Sequence, residues 1–325
     1  MKYLTIDEAA ALLEKNEIVA VPTETVYGLA ANALNDDAVS KIFKAKGRPS
    51  DNPLIVHVGD VEKVKALIIG DIPPNALKLM DAFWPGPLSI ILKAAPVVSK
   101  IVTAGLDTVA LRMPDHPVTL ALLKSSQLPL AAPSANLSGK PSPTTAKHVA
   151  SDLLNNIAGV IDGGPCTIGL ESTVIDMTKE IPVILRPGVI TKEDIERIIG
   201  TVFKSEANHE KNIPSSPGMK YKHYAPNGEL FIVDNDTYAF TQLANKYAAN
   251  GLKVGILCEK GNVSKYAHLQ NVFDIGELNN LLYDSLRRMD NELIDIILCE
   301  KFENEVLFNR TFKASKERII SEMEN

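Results

Sequence analysis

Three arginines stand where a folded chain can aim them at oxyanions. Arg48 lies between Gly47 and Pro49, Arg112 ends an apolar run just before Met113 and Pro114, and Arg186 ends another at Pro187-Gly188. A guanidinium fork on a short rigid boundary suits bidentate contact with carboxylate or phosphate. A lone arginine in such a place also reads as an exposed edge charge. Three within one stretch are hard to dismiss as solvated charge. Lys44 and Lys46 precede Arg48 in a loop that runs on through Ser50, Asp51, Asn52 and Pro53. Cations in a helix's last turn are also ordinary partners of the macrodipole, so both readings stand for these lysines.

Hydroxyl groups gather at similar boundaries. Pro22-Thr23-Glu24-Thr25-Val26-Tyr27-Gly28 follows an apolar run and can receive a small polar ligand, or its threonines can satisfy local backbone groups. Ala132 to Ser142 packs Ser134, Asn136, Ser138, Lys140 and Ser142 into one loop, and Glu171-Ser172-Thr173 repeats the pattern. Such strand-end loops are where α/β sheets take ligands, although a plain surface loop has the same composition. Thr108 opens the run that Arg112 ends. His57 lies inside Leu54 to Val58, where a histidine is either a satisfied core residue or a group that binds a carboxylate or positions a carbonyl. The sequence has no G-x-x-x-x-G-K-[ST] phosphate loop, dinucleotide fingerprint or kinase set, so a bound nucleotide needs another device.

These groups need a sheet to hold them. Thr5-Ile6-Asp7-Glu8 forms a capping box that opens a helix ending near Asn16. Apolar runs predict strands at Ile18 to Val21, Leu54 to Val58, Ser89 to Leu92, Val109 to Arg112, Pro129 to Ala132, Thr173 to Asp176 and Val183 to Arg186. Helical periodicity appears around Val39, Ile42 and Phe43, from Leu77 to Phe83, and from Thr191 to Ile199. Strands and helices alternate without a regular β-α repeat, which predicts an α/β fold built on a mixed, twisted sheet with flanking helices over residues 1–204. Periodicity then lapses through Pro214, Ser215, Ser216, Pro217, Gly218 and Pro226, marking a linker at 205–228. Residues 229–325 read as a small open α/β, Rossmann-like domain with strands Leu230 to Val233, Val254 to Leu257, Val272 to Asp274 and Ile294 to Leu298.

Composition narrows the class of function. Over 325 residues, 45% are hydrophobic and 23% charged, the balance of a globular protein rather than a disordered or fibrous one. A net charge of -6 and pI near 5.6 argue against a broad footprint for duplex nucleic acid while leaving room for a local basic pocket. Cys166, Cys258 and Cys299 form no C-x-x-C pair, which fits a reducing cytoplasm. Without a signal-like apolar segment or a run of 18 apolar residues, no membrane association is expected.

In order along the chain, P-T-E-T-V-Y-G-L, the K-x-R loop with N-P-L, F-W-P-G-P-L at Phe83 to Leu88, L-R-M-P, A-P-S-A-N-x-S-G, E-S-T and R-P-G resemble the YrdC-like family. The match spans roughly residues 5 to 200. Pro217 to Pro226, P-G-M-K-Y-K-H-Y-A-P, resembles the linker signature of that family's longer, two-domain Sua5 type. The resemblance implies an enzyme that joins L-threonine, bicarbonate and ATP into threonylcarbamoyl-adenylate, with Mg2+ accompanying ATP. The product would pass to a separate transferase for t6A modification of tRNA. By the same resemblance Thr25, His57, Arg112, Ala132 (through its backbone) and Ser172 are expected to bind threonine. Lys46, Arg48, Asn52, Thr108, Ser134, Ser142, Arg186 and Tyr224 are expected at ATP, with Lys46 and Arg48 also catalytic. Tyr224 belongs to the linker, which would then act as a lid. Three rivals remain at this stage: a module whose Lys41, Lys44, Lys46 and Arg48 grip RNA, the related carbamoyl-adenylate chemistry of hydrogenase maturation, and a regulatory role for the C-terminal domain.

Overall fold

The computed structural model describes residues 1–205, 224–234 and 237–320. Most of the expected linker, including Pro217 to His223 of its signature, therefore lies outside the described residues. The chain divides into two compact units. One comprises Met1–Ser138, Pro143–Thr167 and Glu171–Tyr221, and the other Gly139–Ser142, Ile168–Leu170 and Lys222–Asn325.

The first unit opens with α1 (Ile6–Glu14), whose capping box is formed: Thr5 Oγ1 accepts from the Glu8 amide while the Glu8 carboxylate accepts from the Thr5 amide. Then come β1 (Val19–Val21), β2 (Gly28–Asn32), α2 (Asp36–Lys46) and β3 (Ile55–His57). A short helix α3 (Glu62–Lys65) and α4 (Pro74–Phe83) lead to β4 (Leu88–Lys93) and β5 (Thr108–Arg112). The unit continues through α5 (Pro117–Ser126), β6 (Leu130–Ala131), α6 (Ala146–Leu153), β7 (Gly159–Val160), β8 (Thr173–Asp176), β9 (Val183–Arg186), α7 (Lys192–Ile199) and β10 (Phe203–Lys204). The strands make one ten-stranded mixed sheet in the order β10-β9-β8-β4-β5-β3-β6-β2-β1-β7.

Alternation of side chains sorts the sheet's two faces. Val56, Leu111, Ile90 and Ile175 point into the main core, which Ile42 of α2, Leu79 and Met80 of α4, and Ile195 of α7 complete. On the opposite face, α1 and α5 cover Val19, Val21, Ala30 and Leu130. Further along that same face, Ile55, Ala110, Ile91 and Val174 form a small separate apolar cluster across β3, β5, β4 and β8. By alternation along β3, β5 and the start of β8, His57, Thr108, Arg112 and Ser172 lie on the face of this cluster.

The second unit is a parallel sheet of β11 (Glu229–Val233), β12 (Val254–Cys258), β13 (Val272–Asp274), β14 (Ile296–Glu300) and β15 (Ile319–Ile320), ordered β13-β12-β14-β11-β15. Helices α8 (Thr237–Ala249), α9 (Leu282–Asn291) and α10 (Glu305–Ala314), with a 3-10 turn at Lys260–Tyr266, make the crossovers. Connections leave β12 and β14 in opposite directions, so the sheet has a switch point between their carboxyl ends. Buried Glu300 occupies it: its carboxylate accepts from the Glu259 amide at 2.7 Å, Asn262 Nδ2 at 3.0 Å and Tyr266 Oη at 2.8 Å.

Candidate active site

Arg112 is the centre of the site. It ends β5 on the face of the small apolar cluster, in parallel register with His57 at the end of β3. All three faces of its guanidinium are engaged. Nε donates to Gly86 O at 3.1 Å, Nη1 donates to Thr25 Oγ1 at 3.0 Å, and Nη2 lies 2.6 Å from Glu24 Oε1. The arginine and glutamate are both almost entirely withdrawn from solvent, so each is the other's charge compensation. Glu24 is therefore a site residue to which sequence reasoning gave no role. Its type and spacing alone do not mark it, because its burial and its pairing with Arg112 appear only in the fold.

The loop carrying Glu24 is held by its own threonine. Thr23 Oγ1 donates to Val26 O at 2.6 Å and accepts from the Thr25 and Val26 amides, both at 3.2 Å. The local-satisfaction reading is right for Thr23, whereas Thr25 faces Arg112. Tyr27 is also structural: its hydroxyl donates to Gly164 O at 2.8 Å, and burial raises its pKa above the usual phenol range.

His57 is buried, and its Nδ1 has no hydrogen-bond partner. Burial first, and the Arg112 charge second, push its pKa down to about 3, so the ring is neutral at physiological pH. Asn52 is fully buried and neither end of its amide is partnered. A buried polar group without a partner is destabilising, which marks both side chains as built for something other than their own packing.

A second group forms where β4, β8 and β9 meet. Ser172 Oγ lies 2.8 Å from Ser89 Oγ and accepts from Arg186 Nη2 at 3.0 Å, while Arg186 Nε donates to Ser172 O at 3.0 Å. Ser89 was hidden from sequence reasoning inside the apolar run Leu88–Lys93. The Phe83 to Leu88 segment braces both groups: Gly86 O holds Arg112, Pro87 O accepts from the Thr173 amide at 3.0 Å, and Trp84 Nε1 donates to Leu88 O at 2.7 Å.

Lys46, in the last turn of α2, is 2% exposed. Its ammonium donates to the carbonyls of Ser134 and Asn136, the latter at 2.6 Å, and Ser134 Oγ donates to Asn136 Oδ1 at 2.6 Å. Lys46 thus fixes the Ala132 to Ser138 loop in addition to bringing charge. Arg48 sits past the left-handed Gly47 cap, donates to Asn52 O at 3.3 Å and lies over the Phe43 ring. Ala132 donates its amide to Ile55 O at 2.9 Å beside the small apolar cluster. Thr108 stands at the opposite end of β5 from Arg112, on the same face by alternation.

The first unit therefore holds Thr25, Lys46, Arg48, Asn52, His57, Thr108, Arg112, Ala132, Ser134, Ser172 and Arg186. Ser142 and Tyr224 fall in the second. Among the described residues no group of three or more His, Cys, Asp or Glu side chains is arranged to hold a metal ion.

Comparison with known proteins follows this layout. A family model of the Sua5/YciO/YrdC type, described as "Telomere recombination", matches residues 11–188. A second, described as "Threonylcarbamoyl-AMP synthase, C-terminal domain", matches residues 190–316. The chain is 50% identical over 326 residues to the threonylcarbamoyl-AMP synthase of Bacillus subtilis (strain 168), covering 97% of this chain and 94% of that one. It is 46% identical to the Pyrococcus abyssi protein of the same name, covering 96% and 94%. Among solved structures, P. abyssi Sua5 complexed with L-threonine superposes with a TM-score of 0.91 at 44% identity, over 98% of this chain and 96% of that one.

Proposed function

The chain belongs to the Sua5/YciO/YrdC family, in the two-domain form with a threonylcarbamoyl-AMP synthase C-terminal domain, and we propose that it converts L-threonine, bicarbonate and ATP to threonylcarbamoyl-AMP and pyrophosphate. The observation that carries this reading is the buried Arg112–Glu24 pair beside the unpartnered Nδ1 of His57. Positive and negative charges side by side are complementary to an amino acid's carboxylate and ammonium. Arg112 takes the carboxylate and Glu24 accepts hydrogen bonds from the ammonium; once that ammonium has lost a proton to solvent, the amine adds to CO2 with release of a second proton, or to bicarbonate with loss of water, to give the carbamate. Thr25, the Ala132 backbone and Ser172 complete the pocket.

Attack of the resulting carbamate on the α-phosphate needs positioning and charge stabilisation rather than a covalent nucleophile. Arg48 and Arg186 supply charge, Lys46 supplies charge and holds Ser134 in place, and Asn52, Thr108, Ser142 and Tyr224 contact the nucleotide. Mg2+ would accompany ATP and supply charge at its phosphates, a role that requires no dedicated protein cage. The product serves t6A modification of tRNA through a separate transferase. Three buried thiols suit a cytoplasmic setting, and no helix among the described residues is long and apolar enough to cross a membrane.

The RNA-gripping alternative is weakened by the same geometry. Lys41 is bound to Glu17 at 2.8 Å and Lys46 is buried against loop carbonyls. The deciding experiment supplies ATP, Mg2+ and bicarbonate with each amino acid in turn and measures pyrophosphate. Release that depends on threonine is expected, and release indifferent to the amino acid overturns the proposal.

A further inference from the structure

Two short pieces that precede residue 205 in the sequence, Gly139–Ser142 and Ile168–Leu170, cluster with the second unit. Their attachment is specific. The Ala225 amide donates to Gly139 O at 2.9 Å, and Arg287 Nη2 donates to Pro141 O. At Gly169, which has φ +70°, a Cβ would come within 2.1 Å of Asn280 O, so the chain there is pressed against backbone.

The same unit holds Tyr224. Its ring stacks on Tyr283 with centroids 5.3 Å apart and 24° between planes, and the Arg310 guanidinium lies 5.6 Å from its centroid. Tyr224 has φ +63°, a conformation that a bulky residue keeps only where its surroundings hold it. Tyr283 and Arg310 are wholly buried and Arg287 is 7% exposed. Burying two guanidinium groups in so small a unit is costly unless the contacts they make are needed.

Tyr283 and Arg287 are four residues apart on α9, hence on one face of that helix. One helix face thus grips both Tyr224 and the loop that ends at Ser142. We propose that Tyr283 and Arg287, with Arg310 of α10, are positioning residues that preset Tyr224 and Ser142 for the nucleotide. This inference rests on the proposed role of Tyr224 and Ser142 at ATP.

The test uses the full chain and steady-state pyrophosphate release. Tyr283→Leu should raise the KM for ATP about three- to tenfold, the scale of a lost ring stack, with the KM for threonine nearly unchanged. Tyr283→Phe, which keeps the ring, should recover most of that loss. In a Tyr224→Ala background, Tyr283→Leu should add nothing further. If Tyr224→Ala alone leaves the KM for ATP unchanged, the assignment of Tyr224 to the nucleotide fails. If Tyr224→Ala raises it but Tyr283→Leu does not, or raises both KM values alike, the positioning role is overturned. Should Tyr283→Leu be recovered unfolded by circular dichroism, Arg287→Gln with a Ser142→Ala background carries the same comparison. Additive effects there would overturn the proposal.

Discussion

At the scale of single residues, the site is governed by what each charge touches. Truncating Arg112 does more than remove a ligand contact, because it leaves Glu24 buried without its counter-charge. Arg112→Ala should lose about 3 to 5 kcal/mol of stability by denaturant titration, and Arg112→Met with Glu24→Gln should recover much of it while remaining inactive. His57 adds a pH dependence of known sign. Folded, it binds a proton only near pH 3, whereas an unfolded histidine does so near 6.5, so acid favours the unfolded chain. Its contribution is complete above pH 6.5 and falls toward pH 3, at a slope of up to about 1.4 kcal/mol per pH unit. His57→Gln should flatten that part of the stability profile measured between pH 4 and 7. The arginines stood out in the sequence because Arg112 and Arg186 are cations between a strand end and a nearby proline, and Arg48 is a cation between a helix-ending glycine and a proline. Glu24 and Ser89 did not, because a buried acid declares itself only through its partner, and a serine in an apolar strand looks like a gap in the pattern.

At the scale of elements, the strands that carry site residues were the readable ones. β8 and β9 fall where their β-branched runs predict, and β3 and β5 lie within a residue of expectation. β2 was missed because Gly28-Leu-Ala-Ala-Asn32 has no β-branched or aromatic residue, and β14 begins two residues later than expected. β2 exists for tertiary reasons: it fills the space between β1 and β6, where small side chains admit close approach, with Gly28 facing Ala132. Gly188 has a comparable constraint, since a Cβ there would lie 2.3 Å from the Thr173 amide nitrogen and 2.7 Å from the Ser172 carbonyl carbon. Gly188→Ala must therefore push Ser172 and Arg186 apart. It should reduce kcat/KM for threonine by about 100-fold in the pyrophosphate assay. In the second unit, Glu300→Ala leaves the donors of Glu259, Asn262 and Tyr266 without their shared acceptor. A loss of about 3 kcal/mol is expected, read as a lower unfolding midpoint.

At the scale of the whole molecule, linear order and spatial grouping disagree in an informative way. Sequence periodicity placed a boundary at residue 205, where apolar patterning lapses, and periodicity has no means of showing that Gly139–Ser142 and Ile168–Leu170 group with residues far downstream. Gly139–Ser142 is a short polar loop held by hydrogen bonds from Ala225 and Arg287, and Ile168–Leu170 is a short apolar one whose Gly169 approaches Asn280 closely, none of which leaves a repeat in the sequence. A chain cut after residue 204 would keep the main core residues, from Ile18 to Val202, but would lose every one of those anchors. In limited proteolysis compared with the full chain, protection from cleavage should fall selectively across residues 139–142 and 168–170. Protection in β4, β5 and β8, which the sheet itself secures, should persist. Uniform loss of protection would mean that the second unit supports the fold of the first as a whole. Unchanged protection in the two loops would mean that the contacts of 139–142 with Ala225 and Arg287, and of Gly169 with Asn280, contribute little to holding them.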